Sequence, residues 1–292
     1  MAYTTANLLS SIERQSFAPA NQSTFSTTDI LALADEITRS SLIPTLLGAR
    51  EEYYTTYTDS SIVSGTSAYP IPPRAIGAAL REVHFITSSG SVVNLARVRL
   101  ENLLTTTGTS STPYAFYLMA DSVMLYPTPN TSTGTLRLYF SVRPGDLVET
   151  TSAAAISAIN TSTNVVTVTS IPSTWATGDE FDLISGTGSQ NYKALDKTST
   201  LVSGSDITFS SLPSDLAVGD YVSVSGTSPL IQMPVEFRTI LATLTAADML
   251  LAMNQPSGKA LYAKGTKALE SAIKFLTPRV VGESEVILPD WS

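Results

Sequence analysis

The feature that most constrains the fold is an internal duplication at one constant offset. Ile171-Pro172-Ser173 with Ala176, Gly178 and Asp179 recurs as Leu212-Pro213-Ser214 with Ala217, Gly219 and Asp220. Upstream, Val165–Thr169 aligns with Asp206–Ser210. Downstream, Ser185-Gly186-Thr187 aligns with Ser225-Gly226-Thr227 after a one-residue slip. Two copies are too few for a solenoid, which generally needs about three stacked repeats. The duplication therefore predicts two strand–turn–strand units forming a small β-barrel or sandwich within residues 150–229.

On either side of this segment the hydrophobic period changes. Ser26 and Asp29 have capping-box spacing, with the shorter Asp in the Glu position. Ile30, Leu33, Ala34 and Ile37 then share one helical face. Pro44 lacks the amide that an interior turn needs, while Leu46, Leu47, Tyr53, Tyr54 and Tyr57 continue the pattern. The expectation is two abutting helices, or one kinked helix, from about Ser26 to Tyr57. From about Tyr69 to Arg143 the period falls to 2. Strands are expected at Ala79–Thr87, Val92–Arg97, Phe116–Met119, Val123–Tyr126 and Thr135–Val142, with a hairpin at Ala120-Asp121-Ser122. In Leu136–Phe140 the alternation is clean only at its start, which predicts burial on both faces at its end.

Beyond residue 229 the helical period returns. Pro234 suits a first helical position and Glu236 a first turn. Ile240, Leu241, Leu244, Met249, Leu250, Leu251 and Met253 leave this helix little polar face, so it is expected to be buried on more than one side. Ser257 can cap a last helix, with Leu261, Ala268, Leu269, Ala272, Ile273 and Leu276 as its stripe and Lys259, Lys264, Lys267 and Lys274 mostly outside it. Pro278 stops it. The expected class is α+β: N-terminal helices and a C-terminal helix pair in a helical bundle, an antiparallel β-region, and an inserted all-β barrel or sandwich. The corresponding domains are 1–149 with 230–292, a discontinuous core, and 150–229, the insertion.

Charged residues are only 14% of the 292, well under the usual quarter, and Ser and Thr fill the gap. A hydroxyl-coated surface repels like neighbours weakly, which suits a subunit packed among copies of itself; a secreted β-rich protein has the same composition. The net charge of −8, with 17 basic against 25 acidic residues, disfavours grip on nucleic acid or an anionic membrane. An acidic wall can still line a DNA passage without holding the strand. The absence of cysteine excludes disulfides, thiolate catalysis and Cys-ligated metals. The first residues have neither the basic nor the apolar region of a signal peptide. No uncharged apolar run is as long as a membrane span requires.

The residues offer little chemistry. Gly258-Lys259 has Met253 where a phosphate loop needs its first glycine, and Ala260 in place of the metal-binding hydroxyl. Gly186-Thr187-Gly188 has Asn191 where a dinucleotide fingerprint needs its third glycine. His84 is the single histidine, on an expected strand. Asp179 and Asp220 follow glycines in equivalent turns, where Asp bonds the backbone; a calcium role is the alternative. Tyr53, Tyr54 and Tyr57 are an interface hot spot, a sugar platform, or core. No catalytic, cofactor or metal residue is therefore expected. The final stretch carries Arg279, Val280, Val281, Val286, Ile287, Leu288 and Trp291. It is too apolar for an unpartnered terminus, so it packs on its own domain or adds to a neighbour as a strand or hook.

The string Ile43-Pro44-Thr45-Leu46-Leu47, Arg50-Glu51-Glu52-Tyr53, Asp59, Gly65, Tyr69-Pro70-Ile71-Pro72 and Arg74-Ala75-Ile76-Gly77 resembles tailed-phage head-to-tail adaptor proteins. Tyr117-Leu118 with Asp121, Leu125-Tyr126-Pro127 and Arg143-Pro144 continue the resemblance. It covers about residues 25–148 and, more loosely, 234–276. It implies a non-enzymatic virion protein without cofactor, in a homo-oligomeric ring, usually of twelve, between the portal protein and a tail or nozzle protein. DNA would pass through the ring unread. Tyr53, Tyr54, Tyr57, Leu244 and Leu251 would then be inter-subunit helix contacts, and Arg279–Trp291 the extension that binds portal or neighbour. The segment 150–229 departs from the smallest adaptors and would project outward or meet tail or fibre proteins. The alternatives are a fibre, baseplate or capsid-decoration protein binding glycan or capsid through that segment, and a glycan-degrading enzyme needing two carboxylates about 5–10 Å apart.

Overall fold

The computed structural model describes residues 3–17, 24–99, 109–110, 112–187 and 192–276. They fall into two units, one joining residues 1–51 to 146–292 and the other spanning 52–145.

Among the described residues, the first unit has five α-helices: α1 (Thr5–Ser16), α2 (Thr27–Ile37), α3 (Ile43–Ala49), α4 (Val235–Ala252) and α5 (Ser257–Leu276). The capping box at the start of α2 forms as its spacing requires. The Asp29 amide donates to Ser26 Oγ at 3.1 Å, and the Ser26 amide donates to Asp29 Oδ2 at 2.9 Å. Between α2 and α3 the chain makes a widened π-type turn over Thr38–Leu42, where the Ile43 amide donates to the Thr38 carbonyl. Pro44 follows at once. Its ring crowds the carbonyl four residues back and offers no amide, so the helix passes it by widening rather than by breaking.

The helix ends at Ala49, not at Tyr57. Arg50 leaves helical backbone (φ −145°, ψ 86°). Tyr53 and Tyr54 lie in a turn, and Tyr57 is in a strand. Their spacing imitates a helical face, but Thr55-Thr56-Tyr57-Thr58 is β-branched and aromatic, and a waiting strand partner settles its conformation.

The second unit carries β1 (Thr55–Ser61), β2 (Ala68–Pro70), β3 (Ala75–Ile86), β4 (Val92–Asn94), β5 (Ala96–Arg97), β6 (Thr109–Ser110), β7 (Ala115–Met119), β8 (Ser122–Tyr126), β9 (Thr128–Pro129) and β10 (Thr135–Val142). They form sheets of order β1-β10-β3-β4 and β2-β8-β7-β5, plus the pair β6-β9. On β10, Leu136, Leu138, Phe140 and Val142 are buried and the residues between them partly exposed. The expected double-sided burial at the end of this strand does not occur. Gly134 before it has φ 101°, and a β-carbon there would lie 2.7 Å from the Ile86 carbonyl oxygen, so only glycine fits.

The rest of the first unit holds β11 (Asp146–Leu147), β12 (Ala154–Asn160), β13 (Val165–Val168), β14 (Glu180–Ile184), β15 (Tyr192–Ser203), β16 (Asp206–Phe209), β17 (Tyr221–Val224) and β18 (Thr227–Ser228). Strands β12 to β17 close into a barrel of order β12-β13-β16-β15-β14-β17. Each sequence copy supplies three strands, one more than the sequence pattern shows, because β12 and β15 are also counterparts at the repeat offset. The third strand of each copy is exchanged: β14 pairs with β15, and β17 pairs with β12. Two residue pairs mark an approximate two-fold relation. Val166 faces Ile207, and Asp182 faces Ser223, each its own counterpart in the other copy. The core is Val166, Val168, Phe181, Leu183, Ile207, Phe209 and Val222 with Trp175, whose ring lies 4.7 Å from that of Phe181. Each such side chain contributes about 1.5–3 kcal/mol on burial.

Helix α4 is the centre of the helical part. Phe237, Ile240, Leu241, Ala242, Leu244, Ala246, Ala247, Met249 and Leu250 are buried, and α1, α2 and α5 all pack on it. Its apolar circumference is covered by its own chain, as expected for burial on more than one side. Helix α5 meets it most closely at Gly258 and Gly265; of the expected stripe Ala272 is buried, Leu261, Leu269, Ile273 and Leu276 are half-buried, and Ala268 is exposed. No helix among the described residues is long and apolar enough to cross a membrane.

Candidate functional site

Arg279, Val280, Val281, Val286, Ile287, Leu288 and Trp291 lie outside the described residues. Tyr54 is 1% exposed and Tyr53 9%, their rings edge-to-face with centroids 5.0 Å apart, while Tyr57 is 52% exposed. Leu244 is buried under α5 and Leu251 is partly open. Of these five, Tyr57 and Leu251 have area left for another molecule.

Tyr57 belongs to an ordered polar face of the β1-β10-β3-β4 sheet. Asp59 pairs with Arg137 in register across β1 and β10, and both carboxylate oxygens accept from the guanidinium at 2.7 Å. That guanidinium lies 4.0 Å from the Tyr57 ring centroid, a cation–π contact. The aspartate hydrogen bond holds the Arg137 proton more firmly than usual. His84, across on β3, packs on Tyr139 at 5.0 Å and sits 3.0 Å from Glu82. Alternate residues of paired strands share a face, so the sequence spacing encodes this ladder once the register is known. It has donors, acceptors and an aromatic surface.

The aspartates of the repeat turns are structural. Asp179 Oδ2 accepts from the Ala176 amide at 2.7 Å, and Asp220 Oδ2 from the equivalent Ala217 amide at 2.9 Å. Two buried carboxylates also tie the copies together. Asp182 Oδ2 accepts from the Gly226 amide at 3.1 Å, and Asp220 Oδ1 accepts from the Gly186 amide at 2.8 Å. Gly226 and Gly186 are counterparts, so each copy receives an amide of the other. Among the described residues no group of three or more His, Cys, Asp or Glu is placed to hold a metal.

Two further acidic positions stand out in the fold. Asp35 on α2 accepts from the Leu147 amide at 2.8 Å, and its neighbour Asp146 is ion-paired with Arg39. Burial raises the Asp35 carboxyl to about 6, with the Asp146 charge adding to it and the Leu147 amide and Arg39 opposing. Asp248 on α4 is also raised, by burial first and then by the charge of Glu36. Only the tertiary packing of α2 on α4 brings Glu36 and Asp248 together.

Charge is unevenly placed in the first unit. Of the six lysines in the chain, four are on α5: Lys259, Lys264, Lys267 and Lys274. All four are exposed, on the side away from the glycine seam. With Glu270 they give α5 a formal +3 within a chain whose total is −8, so everything outside this helix is more acidic than the total suggests.

The model of the family described as SU10 adaptor protein matches residues 15–179. The match runs through α2, α3, the whole 52–145 unit and the first strands of the barrel. No curated protein matches the chain.

Proposed function

Because the chain belongs to the SU10 adaptor protein family, the phage head-to-tail adaptors, we propose that it is a structural virion protein forming an oligomeric ring between portal and tail. In this reading the helices pack as a bundle against those of neighbouring copies, in a ring of twelve. The central passage carries DNA without reading it, and the protein performs no catalysis. The residues from Arg279 to Trp291 extend toward the portal or a neighbour. The family match over more than half of the chain carries the proposal. The low charge density and net acidity agree with close-packed copies around a moving polyanion.

The apolar circumference of α4 is no ground for assembly. It needs no second chain, because α1, α2 and α5 already cover it. What supports assembly is the family and the placement of charge, not unburied core.

The test is electron microscopy of the purified protein with its portal, and of the particle itself. A closed ring at the portal–tail junction is expected. A chain that stays monomeric on the portal and is missing from the neck would overturn the proposal.

A further inference from the structure

We infer that the lysine face of α5 is the docking surface for an acidic stripe on α2 and α4 of a second copy. The inference rests on the reading that the chain assembles with itself, and it assigns the surface that does so.

Three observations carry it. First, Lys264, Lys267 and Lys274 stand exposed on a helix whose opposite side is committed to α4. The two lysines outside α5 are engaged in the barrel, Lys193 with Asp215 and Lys197 with Ser211. Second, Asp29 and Glu36 are exposed on one side of α2, and Glu36 repels the half-buried Asp248. A cation from outside would relieve that repulsion. Third, the spacings match. Lys267 and Lys274 are one heptad apart, as are Asp29 and Glu36, and each pair spans two helical turns or about 10.5 Å. Two helices laid side by side can therefore satisfy both pairs.

The two stripes differ, and both sit on the same unit. That is what a head-to-tail contact needs, and a head-to-tail contact closes into a ring when its rotation permits. The lysine stems add apolar area beneath the ammonium groups. Exposed ion pairs contribute little each, so the charges serve mainly to orient copies and exclude a reversed contact.

The test is zero-length carbodiimide cross-linking of a one-to-one mixture of ¹⁴N and ¹⁵N protein, alone and on the portal. Mixed-isotope peptides joining Lys264, Lys267 or Lys274 to Glu36 or Asp248 are expected. They should fade at about 0.5 M salt, where the screening length falls to about 4 Å. The variants Lys267→Glu/Lys274→Glu and Glu36→Lys, each with unchanged circular dichroism, should each lose these peptides. Mixed with one another they should regain mixed-isotope linkage, because the reversed faces are complementary. Mixed-isotope peptides elsewhere that survive the reversals would overturn the surface while leaving assembly intact. A complete lack of them on the portal would overturn assembly as well. Duplex DNA retarded by the wild type and released by Lys267→Glu/Lys274→Glu, without mixed-isotope peptides, would assign the lysines to nucleic acid instead.

Discussion

Gly265 of α5 lies directly against Leu244 of α4, so close that a β-carbon on the glycine would come within 2.6 Å of the leucine Cδ2. Gly258 is as tightly placed one heptad earlier, with the Ala247 carbonyl oxygen 3.0 Å from any β-carbon there. Gly265→Leu should therefore cost about 1–3 kcal/mol in denaturant unfolding, through overpacking of a filled seam. Ala268→Leu, on the exposed side of the same helix, should stay within about 0.5 kcal/mol of wild type. Equal effects of the two would mean that α5 does not seat on α4 through its glycines.

Asp35 should make stability depend on pH in an unusual direction. Its carboxyl is raised to about 6 from 3.8, chiefly by burial, so between these values the folded chain holds more protons than the unfolded one. Its contribution is then fully present below about pH 4 and is lost as pH rises through 6. The magnitude is on the order of 2 kcal/mol once the solvent-reached part is discounted. Asp35→Asn keeps an oxygen for the Leu147 amide and cannot ionise. It should match or exceed wild-type stability at pH 7 and flatten this part of the pH profile. A variant as steep as wild type between pH 4 and 7 would place the dependence elsewhere.

The exchange of third strands in the barrel predicts which fragments fold. Residues 150–229 contain both copies and every pairing of the barrel, so their proton NMR spectrum should be dispersed. Residues 150–190 contain β12, β13 and β14, but the barrel partners of β14, namely β15 and β17, come from the other copy. That fragment should be unfolded, and a dispersed spectrum from it would contradict the exchanged topology.

The buried carboxylate Asp182 accepts the amides of Asp196 at 3.0 Å and Gly226 at 3.1 Å and is fully buried. Asp182→Ala leaves two half-buried donors without their acceptor, at about 1–3 kcal/mol each. The expected loss is several kcal/mol in thermal or denaturant unfolding. A loss under about 1 kcal/mol would show that water replaces the carboxylate.

Much of this architecture was legible because period and spacing are local properties. The capping box at Ser26, the strand Thr135–Val142, the hairpin at Ala120-Asp121 and the duplicated barrel are each written in a short run of residues. The errors arose where one pattern fits two partners. Tyr53, Tyr54 and Tyr57 satisfy a helical face, yet β10, far along the chain, claims Thr55–Ser61 as its strand partner. The lysines of α5 were placed correctly off its buried stripe, but the stripe itself is glycine at its closest points, and hydropathy gives no weight to a residue without a side chain. Of the candidate surface, the lysines and the capping Asp29 were visible, but not the pairing of Glu36 with Asp248. Glu36 and Asp248 belong to helices near opposite ends of the sequence, and nothing in either neighbourhood announces the other.

The amino-acid order by itself determined that this chain alternates helical and strand regimes and that one β segment is built twice. Tertiary structure alone decided what covers α4, which strands of the two copies exchange, and which charges become neighbours. The physical reason is that a hydrophobic pattern states that a face must leave water without saying against what. That choice belongs to contacts whose members are distant in the chain and equal in hydropathy.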